Sequence, residues 1–261
     1  MLGGSCLHVL LRRATCARSL DLLESLGCTM NPIELVKKYL RERLKLNPDQ
    51  TGFPFVTISR ESCAGGHTLA REIIRQVEQS TTEEWGRGWE VFDYRLCLLL
   101  AQDPELNVPL ESLLHEEYQS SFQQALFDIL TGQNEQHKVQ KRIFEVIRIL
   151  AMIGRVVIVG RAGNLVTRDL RSGVHLRLVA PASLRVKQMM ELMDADEAGA
   201  RSEMEKQDRE RAQMVRDYFN RDITNPLDYD CTWNTGGVKI PFVAATTARM
   251  MVEKARQRRS A

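Results

Sequence analysis

Residues 55–74 constrain this chain more than any other stretch. Phe55-Val56-Thr57-Ile58 is apolar and β-branched, the pattern of a short buried strand. Small residues follow at Ser62-Cys63-Ala64-Gly65-Gly66, and then a helical period begins in which residues 69, 70, 73, 74 and 77 fall on one apolar face. A strand that turns through glycine into a helix leaves backbone N–H groups and the positive end of the helix dipole pointing into the turn. That is a cradle for phosphate.

The common nucleotide fingerprint for such a turn is G-x-x-x-x-G-K-[ST]. Set against it, Arg60 stands at the first glycine, Gly65 at the second, Gly66 at the lysine and His67 at the first hydroxyl residue. Thr68 lies one step later and is the candidate magnesium ligand. The absent lysine normally contacts the terminal phosphates as a point charge, so activity would need a cation from elsewhere. Ala64, Gly65, Gly66, His67 and Thr68 are the candidate phosphate-binding residues. The His67 ring could face a phosphate or solvent.

Composition sets loose bounds. The 261 residues suffice for one sizeable α/β domain or two small ones. Hydrophobic content of 43% with 27% charged residues fits a soluble globular chain, and a net charge of +2 is too small to argue for nucleic acid or membrane partners. Six cysteines without a C-x-x-C pair read as reduced cytoplasmic thiols. Residues 1–29, rich in Arg and Leu, read as an N-terminal extension, disordered or an over-extended start, with an organellar transit segment or a genuine helical element as alternatives. A helix is expected over about 30–50, and the domain proper over 51–261.

Strands are expected at 55–59, 89–92, 155–159, 174–179 and 229–233. Helices are expected at 67–79, 94–101, about 109–130, 135–153, 182–193, 196–220 and 241–258. Gly154 should close the helix before the third strand. This alternation predicts a three-layer α/β fold with a five-stranded parallel sheet in the order 2-3-1-4-5. Helical insertions would form an arm (about 94–134) and a lid (about 196–228).

Two strand ends carry further candidates. Asp93 and Arg95 follow the second strand, where open α/β sheets bind ligands, although an N-cap aspartate and a solvated arginine would look the same. The third strand runs into Gly160-Arg161-Ala162-Gly163-Asn164, glycines flanking a cation that can grip phosphate with a planar fork. Gly160, Arg161 and Asn164 join Asp93 and Arg95 as acceptor-site candidates. The charged helix near 208–221 offers Arg209, Arg211, Arg216 and Arg221, either a solvated face or the cations a closing lid delivers. With Arg60 they are the candidates to replace the missing lysine. Trp85, Trp89, Trp233 and the Met189-Met190 pair read as packing residues.

Taken together, Ile58-Ser59-Arg60 with Ala64-Gly65-Gly66, Phe92-Asp93-Tyr94-Arg95, Val157–Asn164, Asp208-Arg209-Glu210-Arg211-Ala212, and Pro226–Asp230 with Asn234-Thr235 resemble the cytidylate kinase-like family of P-loop kinases. The resemblance covers about 54–257. It implies a P-loop fold and phosphorylation of a nucleoside monophosphate, CMP foremost, from ATP and Mg2+. Cys63 stands where that branch usually has glycine, which restricts the turn. Two alternatives remain: a nucleotide-binding regulatory module without phosphotransfer, and a kinase of a non-nucleotide small molecule.

Overall fold

A computed structural model describes residues 53–81, 84–102 and 135–259. The expected N-terminal extension, the 30–50 helix, most of the arm and the 109–130 helix lie outside the described residues. Within them, the strands are β1 (Phe55–Arg60), β2 (Glu90–Phe92), β3 (Val156–Val159), β4 (Gly173–Val179) and β5 (Cys231–Asn234). The helices are α1 (Gly66–Ser80), α2 (Tyr94–Gln102), α3 (Glu135–Ile153), the single turn α4 (Gly163–Val166), α5 (Ala182–Met193), α6 (Glu197–Phe219) and α7 (Ile240–Arg259).

All strand pairs are parallel and the sheet runs β2-β3-β1-β4-β5, the expected order. β1 lies at the centre, with Val56 registered against Val157 on one side and Val174 on the other. Its side chains are buried on both faces because helices cover both. On one face Leu69, Ile73 and Val77 of α1 meet Val243, Ala244 and Met251 of α7 over Val56, Ile58 and Leu176. On the other, Phe144, Ile147 and Leu150 of α3 pack on Phe55, Phe92 and Ile158. This is the three-layer P-loop architecture. Among the described residues no helix is long and apolar enough to cross a membrane.

The element ends follow local chemistry. Gly154 takes φ +79° and its N–H bonds back to Leu150 O, and a Cβ there would lie 2.2 Å from the Phe53 carbonyl oxygen. Only glycine closes α3 there. Asp93 Oδ1 accepts from the amides of Arg95 and Leu96 (3.0 and 3.2 Å), so it caps α2. β2 begins one residue later than expected, because Trp89 is a packing residue whose Nε1 donates to Trp85 O (2.7 Å). β5 begins two residues later, since Pro226–Asp228 form a 3-10 turn and Tyr229 and Asp230 serve as braces. Trp85, Trp89 and Met189 are buried, and Trp233 is half-buried against Phe242. Arg148 of α3, also buried, forms a two-pronged pair with Asp169 (2.8 and 2.7 Å) that fastens α3 to the loop after α4.

Candidate functional site

The C-terminal ends of β1, β3 and β4 meet at one edge of the sheet, where parallel α/β folds place ligands. β1 ends at Arg60, and Ala64 N closes a turn on Glu61 O (3.2 Å). Cys63 holds φ +60°, a left-handed geometry that costs a non-glycine residue about 1 kcal/mol. Gly65 follows at φ +89° as the N-cap of α1, with no side chain capping the helix. No side chain therefore occupies the first-turn amides. The turn has a floor: Thr235 Oγ1 donates to Ala64 O (3.0 Å), and a Cβ at Gly65 would sit 3.2 Å from Ile240 Cδ1.

Arg60 is the first of three cations here. Its stem passes beneath Gly66, where a Cβ would lie 3.2 Å from Arg60 Cγ. Its guanidinium reaches Gly160, where a Cβ would lie 2.0 Å from Nη1. Burial, then the charges of Arg211 and Arg161, pull its pKa down to about 9 against the support of Asp93 and Asp208. Arg161, at φ +52°, stacks its guanidinium 3.3 Å from the centre of the Tyr94 ring. Arg211 donates to Ser62 Oγ (2.6 Å), Asp208 Oδ1 (2.9 Å) and Gln207 Oε1 (3.2 Å). Burial also holds Arg161 and Arg211 below the ordinary arginine value. With Ser59, Gly160 and Asn164 the three arginines line a cavity of about 20 Å³. Gathering like charges in a desolvated place is unfavourable unless an anion joins them.

Helix α6 is fastened to the turn after β1 by a carboxylate. Asp208 Oδ1 accepts from Ser62 N (2.8 Å), and Oδ2 accepts from Arg185 Nη1 (2.6 Å). Arg185 also lies 3.3 Å from Glu61 Oε2, which accepts from Ala180 N (3.1 Å). Arg185 was not among the sequence candidates. Its carboxylate partners are distant in sequence, so no local spacing marks it.

Asp93 sits across from this cluster. Oδ2 lies 3.5 Å from His67 Nε2, longer than a good hydrogen bond. Burial raises the Asp93 carboxyl, but His67 and the Leu96 and Arg95 amides outweigh it and keep it below the usual range. The structure thus brings Arg60, Arg161, Arg211, Asp93, His67, Gly160 and the glycine turn together.

The remaining candidates are placed differently. Arg95 is half-buried on α2. Asn164 is buried and spends its amide on Asp228 O (3.1 Å), tying down the loop after α6. Arg221 is 3.3 Å from Asp228 Oδ1. Arg209 is 70% exposed and faces Glu205 at 3.7 Å, and Arg216 is exposed in the last turn of α6. Thr68 is exposed on the first turn of α1. Among the described residues no cluster of three His, Cys, Asp or Glu could hold a metal. A single hydroxyl nevertheless suits magnesium, which keeps most of its ligands as water and phosphate oxygens.

One buried group escaped the sequence reading although a signal existed. Arg177 interrupts the apolar run of β4, is 6% exposed, and donates to Ser59 Oγ (3.2 Å). Tyr229 O–H bridges to the same hydroxyl (3.2 Å) and to Ile223 O (2.8 Å). An arginine in a doubly buried strand is out of pattern, and that mismatch was the clue.

A crystal structure of an uncharacterized protein from Eubacterium ventriosum ATCC 27560 is similar to this chain, with 19% identity, 77% of this chain and 98% of that chain covered, and a TM-score of 0.60. At that identity the likeness speaks to the fold alone. A shikimate kinase from Bacteroides thetaiotaomicron aligns at 11% identity over 78% of this chain and 98% of that chain, with a TM-score of 0.41, too distant to carry an argument. No curated protein matches the chain. The sequence profile of the cytidylate kinase-like family matches residues 86–236, which span β2, the Gly160 turn, α6 and the Asn234-Thr235 brace. With more than half of its length matched, this kinase-like chain belongs to the cytidylate kinase-like family.

Proposed function

We propose that the protein transfers a phosphoryl group from ATP to a nucleoside monophosphate, with CMP the first candidate, in the reduced environment of a cytoplasm. The observation that carries this reading is the convergence of Arg60, Arg161 and Arg211 between the uncapped α1 N-terminus and the Gly160 turn. Bound ATP with Mg2+ supplies the phosphoryl group and part of the charge neutralisation. The turn at Ala64–Thr68 holds the donor phosphates through backbone amides, and the Thr68 hydroxyl serves the metal. Arg161, kept flat by Tyr94, clamps the acceptor phosphate, and Arg95 supports it from α2. Asp93 orients the acceptor. Gly160 lets the acceptor approach the backbone, and Asn164 fixes the loop behind it.

Arg60 and Arg211 stabilise charge that develops between donor and acceptor, so catalysis is positioning and electrostatics with no covalent step on the protein. Arg209 and Arg216, on the exposed side of the lid segment, contribute steering charge, and Arg221 is spent on Asp228. The test is ADP release by the purified protein with MgATP and a panel of CMP, dCMP, UMP, AMP and GMP. Stimulation by one monophosphate supports the reading, and none with any of them rejects it.

A second reading has its own observation. The carboxylate of Asp208 already holds the Ser62 amide, and position 66 carries no lysine, as suits a nucleotide-binding regulatory module. MgATP binding without turnover on the same panel would favour that module, or a non-nucleotide acceptor.

A further inference from the structure

Residues 60 and 66 stand one on each side of the phosphate turn, and their side chains compete for one space. In the ordinary fingerprint the first position is glycine and the seventh is lysine. Here the first is Arg60 and the seventh is Gly66. A Cβ at 66 would lie 3.2 Å from Arg60 Cγ, 3.5 Å from its Cδ and 3.6 Å from Val159 Cγ1. The root of any side chain at 66 therefore points at the arginine stem. The far wall is bare as well, since Gly160 at φ +89° gives the guanidinium its seat, and a Cβ there would fall 2.0 Å from Nη1. The trough between the two turns holds one long cationic side chain, not two.

We propose that the loop cation has been exchanged between positions, so that Arg60, rising from the end of β1 beneath Gly66, is the phosphate-facing cation of this loop. The inference rests on the proposed function only in taking the ligand to be a polyphosphate. Arg60 faces Arg161 and Arg211 across the cavity, with Asp93 and Asp208 as its nearest countercharges, so the seat is electropositive and short of an anion. The exchange also uses both bare walls: the arginine's stem lies against Gly66 and its guanidinium against Gly160. The missing lysine is then a change of address, and both glycines are consequences of it.

The probe is inorganic tripolyphosphate, which has no base or sugar, with binding followed by calorimetry on the full chain and folding checked by thermal unfolding. Arg60→Gln should weaken binding about tenfold or more while Arg60→Lys loses no more than about threefold. Gly66→Lys alone should weaken binding and lower the melting temperature, because two stems then contest the trough. The double variant Arg60→Gly/Gly66→Lys, which rewrites the loop in the ordinary order, should return to within about threefold of wild type. Wild-type binding by Arg60→Gln, or a folded double variant no better than Gly66→Lys alone, overturns the exchange. Should the double variant not fold, the Gln and Lys pair decides alone. A wild-type protein that binds tripolyphosphate in this pattern but transfers nothing from ATP refutes the proposed function and leaves the exchange standing. One that phosphorylates a monophosphate with no dependence on Arg60 refutes the exchange and leaves the function standing.

Discussion

The backbone amide of Ser62, in the turn between β1 and α1, donates to the carboxylate of Asp208 on α6 at 2.8 Å. The turn is thus joined to α6 by an anion of the protein's own. The same carboxylate holds Arg185 and Arg211, so three donors depend on it.

Removing it should therefore be costly. Asp208→Ala removes one acceptor shared by two partly buried guanidinium groups and the Ser62 amide, and is expected to destabilise the fold by about 1.5–3 kcal/mol. Thermal unfolding measures this, and a melting temperature that does not move would show the docking to be incidental.

In the proposed reaction Arg161 would act through its shape as much as its charge. Arg161→Lys keeps the charge but loses the flat face held 3.3 Å from the Tyr94 ring centre. The acceptor kcat/KM should fall about tenfold or more with the KM for ATP nearly unchanged. Equal losses for both substrates would place Arg161 outside the acceptor site.

Arg211 and Arg209 lie two residues apart on α6 and face different surroundings. Arg211 touches Ser62 Oγ at 2.6 Å, whereas Arg209 is largely exposed beside Glu205. Arg211→Ala should lower kcat by about a hundredfold, and more than it lowers nucleotide affinity, because charge stabilisation is needed most in the transition state. Arg209→Ala should cost less than about threefold, the size expected of a screened surface charge. Similar effects of the two substitutions would mean that the lid rolls during the reaction.

His175 predicts a pH dependence remote from the site. Burial pushes its pKa down from 6.5 to about 4, with Asp230 opposing the shift and Lys254 adding to it. Its Nδ1 lies 2.8 Å from Thr57 Oγ1. The folded protein keeps the ring neutral down to about 4, while the unfolded chain takes up a proton below about 6.5. Stability should therefore be insensitive to this group above pH 6.5 and be lost by on the order of 2 kcal/mol as pH falls from 6.5 to 4. Melting curves of wild type and His175→Gln across that window measure it, and parallel profiles would dismiss the group.

The strand and helix pattern was legible because each element carries a local signal. β3 is a run of β-branched residues, α1 keeps its apolar face at 69, 70, 73 and 77, and Gly154 marks the end of α3. The three arginines that meet were all sequence candidates: Arg60 at the fingerprint's first glycine position, Arg161 between glycines and Arg211 in a charged helix. Their separation from Arg209, Arg216 and Arg221 was not legible, since helical position alone does not say which face docks. Arg185 and the Asp208–Ser62 bond were invisible for a related reason: they join residues far apart in sequence, and a bond across that distance leaves no periodic trace. The one-turn helix α4 is absent from the expected helices because Arg161 and Ala162 enter it through left-handed backbone that neither residue type advertises.

The central place of β1 has a consequence for how the molecule comes into being. β1 is the first described strand to leave the ribosome, yet both of its edges wait for β3 and β4, whose partners to Val56 are Val157 and Val174. About a hundred residues must be synthesised before its backbone is paired, an arrangement that makes parallel sheets slow to form and exposed to wrong partners in the interval. The strand that later carries Arg60 to the site is the one the nascent chain leaves unsheltered longest.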